Sequence, residues 1–361
     1  MSKNRSILHN SLLGVICAVC LIPSFFSTAK AQTEPISLPC ESTYKEFEIL
    51  QRDSSSNKVN LKPVVETIAL SQDGSTLFVG GDDHRIYAGS TTQTDSFVFK
   101  PILNELEDWV RAVDVSPVEG SNEIVTLSQN GQLAIWNYLT QQKLREASFK
   151  TEGTHSLAVS PNGKIIAVCG YKPQVHFFNA QTLQKEPPIW EAPGESSTSL
   201  VFSHDGRHLA LGGRNGVIRV WNTIDGSIFK EFTLTNTEDS VKKGENIPRR
   251  VRAVCFDPSG KLLAAAGDSN QTIVWDLASG QVVASLCHGN SKVFSMTFCD
   301  PDILVTGDSV NHVNVWKISE NKLIAQGVDH TGTVTDVLFD SRTRTILSSS
   351  YDATVRRWAL P

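Results

Sequence analysis

Near the C-terminus stand His330, Ser348, Asp352 and Trp358, and the first three are the residue types of a serine hydrolase: base, nucleophile and orienting acid. A nucleophile of that kind is normally presented on a Gly-x-Ser-x-Gly turn. Ser348 lies instead in Leu-Ser-Ser-Ser-Tyr-Asp, with no glycine on either side. Metal ligation is weakly supported. Cys287 and His288 are adjacent, so in an extended chain their side chains point to opposite faces and cannot grip one ion together. Asp300 and Asp302 flank Pro301 and read as solvated turn carboxylates, far short of the roughly six to eight oxygens of a calcium site. Gly80-Gly81 and Gly212-Gly213 match neither a phosphate loop nor a dinucleotide fingerprint, and read as strand-end glycines beside tight turns. No catalytic residue, metal or cofactor is expected.

Any chemistry must be positioned by the elements that recur along the chain. The unit is clearest from Val251 to Asp276: an alternating segment (Val251, Ala253, Cys255), a Pro-Ser-Gly turn, an apolar run from Leu262 to Ala266, a polar turn, and a segment ending in Trp275-Asp276. That is strand, turn, strand, turn, strand. Its terminal aromatic returns as Trp136, Phe178, Trp221, Trp275, Trp316 and Trp358, at intervals of 42, 43, 54, 41 and 42 residues, after a degenerate first copy ending near Tyr87 to Gly89. Tight-turn chemistry repeats as well, in Asp73-Gly74, Asn162-Gly163, Asp205-Gly206 and Ser259-Gly260.

From about Val64 onward the chain resembles the WD-repeat β-propeller family, on period and strand pattern more than on the Trp-Asp pair, which only Trp275-Asp276 keeps. An all-β, seven-bladed propeller is therefore expected, with blades at about 64–103, 109–149, 154–190, 197–234, 250–287, 291–328 and 332–361. Six of these end in a fourth, outer segment, whereas the chain stops at Pro361 directly after the third strand of the seventh. The missing outer strand is assigned to Tyr44–Arg52, so that 44–361 forms the closed ring and 32–43 is a linker. The long interval comes from an insertion, TNTEDSVKKGENIPRR. The resemblance also implies that His330, Ser348, Asp352 and Trp358 form a structural hydrogen-bond network rather than a catalytic one.

Residues 1–31 read as an export signal: Lys3 and Arg5, an apolar run from Leu12 to Ile22, Pro23, then Ala29-Lys30-Ala31 as a small-x-small cleavage site. The run is too short for the ~20 residues that span a bilayer. Cleavage after Ala31, a periplasmic or extracellular location, no membrane span thereafter, and an exported, bacterial-type family member are the expectations. Loss of Lys3, Arg5 and Lys30 with no acid moves the formal charge from −5 to −8, which disfavours nucleic acid as a partner. Cys17 and Cys20 would leave with the leader. An odd set of five remains, Cys40, Cys169, Cys255, Cys287 and Cys299, among which a Cys287–Cys299 bridge is open.

Stacking the repeats places one residue per blade where each innermost strand begins: Glu66, Arg111, His155, Thr198, Arg252, Phe294 and Thr335. By the resemblance these surround the channel mouth on the top face, joined by Asp83, Asn130, Lys172, Arg214, Asp268 and Tyr351 from the second turns, with Trp109 and Tyr171 nearby. Arg, Trp and Tyr dominate binding hot spots. The expected function is a non-catalytic, monomeric scaffold that takes a protein partner's acidic or aromatic segment on Trp109, Arg111, His155, Tyr171, Arg214, Arg250, Arg252, Phe294 and Tyr351, with Lys242, Lys243 and Arg249 adding positive potential. The alternative is a propeller hydrolase or lactonase with a metal at the central channel, which needs several carboxylates, Asn or His converging on the axis.

Overall fold

The computed structural model describes residues 34–44, 46–47, 63–92, 98–104, 106–148, 153–235 and 248–361. The export leader and its cleavage site, the insertion at 236–247 with Lys242 and Lys243, and the 48–52 part of the expected closing strand lie outside the described residues.

Seven antiparallel sheets follow one another along the chain. From innermost to outermost strand they are Val65–Leu70, Thr76–Gly81, Ile86–Ser90 and Val98–Leu103; Val110–Val115, Glu123–Ser128, Gln132–Asn137 and Gln142–Ser148; Thr154–Val159, Ile165–Gly170, Gln174–Asn179 and Lys185–Glu191; Ser197–Phe202, His208–Gly213, Val217–Asn222 and Ile228–Thr233; Val251–Phe256, Leu262–Gly267, Gln271–Asp276 and Val282–Cys287; Val293–Asp300, Ile303–Asp308, Val313–Lys317 and Lys322–Gly327; and Val334–Asp340, Thr345–Ser350 and Thr354–Ala359. The blade order and count match the repeat period.

Local chemistry explains the regularity. In blades one, three and four a serine hydroxyl, a short polar side chain two residues on, and a glycine at φ near +70° close the first turn. Ser71, Ser160 and Ser203 donate to Asp73, Asn162 and Asp205, and each serine oxygen accepts the N–H of the residue five further on, Thr76, Ile165 and His208. Gly74, Gly163 and Gly206 supply the left-handed conformation that the turn requires. The second strands are buried almost throughout, as Leu262–Gly267 shows, because they lie between neighbouring sheets on both faces. Core therefore sits between blades: Phe232 and Trp275 pack with Val254, Phe256 and Leu263 across blades four and five.

Closure comes from the N-terminal segment, but earlier than expected. Cys40–Tyr44 pairs antiparallel with Thr354–Ala359, setting Cys40 against Trp358 and Tyr44 against Val355, and completes blade seven. The strand thus occupies part of the stretch read as a linker, which is corrected accordingly. Before it, Ile36–Ser37 adds in parallel to the outer strand of blade six; after it, Glu46–Phe47 adds in parallel to that of blade one. Leu38 explains the register. Only 3% exposed, it is seated among Val305, Val315, Ala325 and Trp358, an anchor the polar-linker reading overlooked. Cys169, Cys255, Cys287 and Cys299 are free thiols, so no Cys287–Cys299 bridge forms.

Candidate functional site

The seven residues aligned from the sequence share one backbone feature. In every blade the pairing of the first two strands slips at the second residue of the inner strand, between Val65 and Thr67, Val110 and Ala112, Thr154 and Ser156, Ser197 and Ser199, Val251 and Ala253, Val293 and Ser295, and Val334 and Asp336. The residue skipped by the ladder is Glu66, Arg111, His155, Thr198, Arg252, Phe294 or Thr335. A bulge re-aims the side chain it carries. Here all seven line the central channel, a cavity of about 1060 Å³ that Arg250 and Tyr351 also border.

Two of the arginines are held within the rim. Arg111 donates through Nε and Nη2 to Gln129 Oε1 at 3.0 and 2.6 Å, lies 3.5 Å from Glu66, and covers the Trp109 ring at 5.3 Å. Arg252 binds Asp268 Oδ1 at 2.5 Å and covers Phe294 at 4.4 Å. Gln129 and Asp268 therefore set the charge pattern, and Gln129 was not among the residues singled out from the sequence. Its only signal is its place at the end of a second strand. His155 meets Tyr171 edge-on at 4.4 Å, and Tyr171 packs over Gly153, where any Cβ would fall inside its ring. Burial and the charges of Arg111, Arg250 and Arg214 push the His155 imidazole down to about 4, so it is neutral at pH 7. Asp83 and Asn130 are engaged locally, with Tyr87 and Gln132.

Deeper in the channel, side chains of inner strands tie four of the blades to the next. Ser199 accepts the Val254 N–H, Ser295 that of Val337, Asp336 that of Ile68 and Asp114 that of Val159, at 3.2, 3.2, 3.1 and 2.9 Å. Asp336 also takes the Ser295 hydroxyl at 2.7 Å. Burial pushes both carboxyls up, to about 6. Each carboxylate lining the channel is thus occupied by a structural partner, Glu66 by Arg111, and Asp114, Asp257 and Asp336 by backbone N–H groups. Among the described residues no three His, Cys, Asp or Glu side chains converge as metal ligands do.

The four blade-seven residues do come together. Trp358 Nε1 donates to Ser348 Oγ at 2.8 Å, Ser348 lies 2.8 Å from His330 Nε2, and His330 Nδ1 lies 3.0 Å from Asp352. A neutral imidazole with its proton on Nδ1 satisfies every bond. The spacing is that of a hydrolase triad, but Ser348 is fully buried, the Trp358 indole already occupies its oxygen, and His330 is 3% exposed. A nucleophile needs access, and this one has none. The same indole-to-hydroxyl bond recurs as Trp136 to Thr126 and Trp316 to Thr306, each ten residues apart, whereas for Trp221 and Trp275 the residues at that offset are Leu211 and Ala265, which carry no hydroxyl. His288, which precedes blade six as His330 precedes blade seven, pairs instead with Thr272 of blade five at 2.7 Å.

Against this geometry the likeness to known proteins can be set. The family model "WD domain, G-beta repeat" matches residues 188–222, 243–276 and 321–359. The cattle "Cilia- and flagella-associated protein 52" is 22% identical over 84% of this chain and 53% of its own length. The "WD repeat-containing protein SL1-17" of Schistosoma mansoni is 30% identical over 43% of this chain and 47% of its own, and the "Periodic tryptophan protein 2 homolog" of Dictyostelium discoideum is 23% identical over 63% and 24%. The chain spans about half the length, or less, of these relatives. All three are eukaryotic, so the bacterial affiliation read from the leader gains nothing from them. Repeats in three blades thus match that family model, and the ring they belong to is a seven-bladed β-propeller of one repeated plan.

Proposed function

We propose that this protein is an exported, non-catalytic interaction scaffold that binds a protein partner on the top rim of its channel. The observation that carries the reading is the sevenfold bulge: a rigid ring spends one ladder position per blade to aim side chains at a single opening. Trp109, Tyr171 and Tyr351 stand around that opening at 41, 42 and 43% exposure, large rings of the kind that anchor interfaces. Arg111 and Arg252 are pre-ordered by Gln129 and Asp268, so little side-chain entropy is lost when a partner covers them. The family's general role in protein assembly supports the same reading by analogy of fold.

The test is affinity capture with the tagged full chain, comparing wild type with a Trp109→Ala/Tyr351→Ala variant. Partner retention is expected to fall at least ~10-fold, as for two hot-spot residues; equal retention refutes the top-rim reading. Export rests on the leader sequence and has its own test. The secreted protein should begin at Gln32 on N-terminal sequencing, and a product retaining the leader removes that part of the proposal.

A further inference from the structure

We infer that the sector of the rim between blades three and five, formed by His155, Arg214 and Arg250, seats a carboxylate from an acidic peptide segment of a partner protein. This deepens the top-rim reading and rests on it.

The rim's four arginines are not equivalent. Arg111 and Arg252 have their charge met by Glu66 and Asp268. Arg214 is exposed and Arg250 half-buried, and among the described residues neither has a carboxylate within ion-pair distance. Two polar atoms in the sector are sealed from solvent without a hydrogen-bond partner, His155 Nε2 and Arg250 Nε. Such atoms are costly unless something completes them. Burial first, then Arg252 and Arg214, pull the Arg250 pKa down against the opposing influence of Asp268, while His155, itself desolvated, feels Arg111, Arg250 and Arg214 together. A group that carries negative charge and accepts hydrogen bonds from the exposed Arg214 guanidinium answers the unmet positive charge of the sector.

The surroundings decide which anion. Tyr171 flanks the sector directly, edge-on to His155, and Trp109 and Tyr351 continue an exposed aromatic border around the mouth. A free inorganic anion leaves those rings in water. A peptide covers them with its flanking side chains while one carboxylate enters the sector. The chain as a whole is acidic, with a formal charge of −5, so this local positive field also orients an acidic segment toward the mouth rather than elsewhere on the surface.

The test uses the full chain and four probes: a fluorescein-labelled hexapeptide Glu-Leu-Glu-Phe-Glu-Leu, its glutamine twin, its lysine twin, and inorganic phosphate. The acidic peptide is expected to bind with Kd on the order of 1 mM or tighter, at least ~5-fold better than either twin. Arg214→Ala/Arg250→Ala should remove that preference, and Arg214→Ala alone, a change at an exposed side chain, should reduce it. The His155 imidazole should titrate higher in the complex, because a bound carboxylate favours its protonated form. Equal binding of the three peptides, unaltered by the arginine changes, overturns the anion seat while leaving the aromatic rim to be judged by Trp109→Ala/Tyr351→Ala. Phosphate competing as well as the acidic peptide overturns the peptide assignment in favour of a small anion. No binding of the acidic peptide at several times 1 mM overturns the inference outright.

Discussion

Asp336 gives the sharpest test of how the ring is held together. Its carboxylate accepts from Ile68 N–H, Val337 N–H and the Ser295 hydroxyl, and so links three inner strands, yet it lies in the channel wall with its pKa raised to about 6 by burial. An unfolded aspartate titrates near 3.9. A carboxyl raised on folding contributes stability that is fully present below the unfolded value and is lost as pH rises through the folded one. For a folded value near 6, the contribution at pH 5 relative to pH 7.5 is about 1.4 kcal/mol by linkage, tempered to ~1 kcal/mol because the channel admits water. Asp336→Asn removes the titration while keeping the shape. Urea denaturation of wild type and variant at pH 5 and pH 7.5 isolates it from the other titrating groups, since His155 and His288, both pushed down to about 4, lose stability on acidification in wild type and variant alike. Wild type should gain ~1 kcal/mol over the variant on going from pH 7.5 to pH 5. A difference that is flat with pH, or that grows toward pH 7.5, refutes the account of Asp336 as a charge held at a cost in the wall.

Other expectations follow from single contacts. Ser348→Ala leaves both the Trp358 indole and His330 Nε2 without a partner inside the core, and should cost about 2–4 kcal/mol in chemical denaturation, against about 1–2 kcal/mol for Thr306→Val, which strands one indole. Leu38→Ala should cost about 2–4 kcal/mol, as for any buried leucine, and shift unfolding of the seam between blades six and seven in hydrogen exchange; a change below ~0.5 kcal/mol shows that Leu38 does not anchor the closing strand. With a disulfide-exchange reagent, Cys287 should react in the folded protein, while Cys169, raised to about 12, and Cys255, raised further, should react only on unfolding.

Much of the fold was legible because a propeller writes its plan seven times. Errors in one copy are corrected by the others: the degenerate first blade, with Gly89 opposite Leu77 where blade five sets Trp275 opposite Leu263, still forms the same four strands. Closure is written once, and there the reading slipped. The alternation of Tyr44–Arg52 looked like a strand, but the ring uses Cys40–Tyr44, and the one residue that fixes it, Leu38, is a single apolar side chain among polar neighbours. Hydrophobic periodicity needs several residues to register; a lone anchor leaves no periodic trace.

The rim shows a different limit. Repeat alignment brought Glu66, Arg111, His155, Thr198, Arg252, Phe294 and Thr335 to one opening because position within a strand is a property of the repeat. Which of them is spoken for is a property of neighbours outside the alignment column, and the sequence carries no such information. Arg111 and Arg252 looked like the free cations. Instead Gln129 and Asp268, each at the end of the second strand of the same blade, bind them, and the uncompensated charge falls on Arg214 and Arg250. The bulge explains why the two views diverge. By dropping one residue out of the ladder it turns that side chain toward the mouth, within reach of the second-strand end of its own blade. A column that reads as a ring of independent side chains is therefore tied into pairs, within a blade for Arg111–Gln129 and Arg252–Asp268 and between blades for Arg111–Glu66, and recognition is left to the sector where the pairing is incomplete.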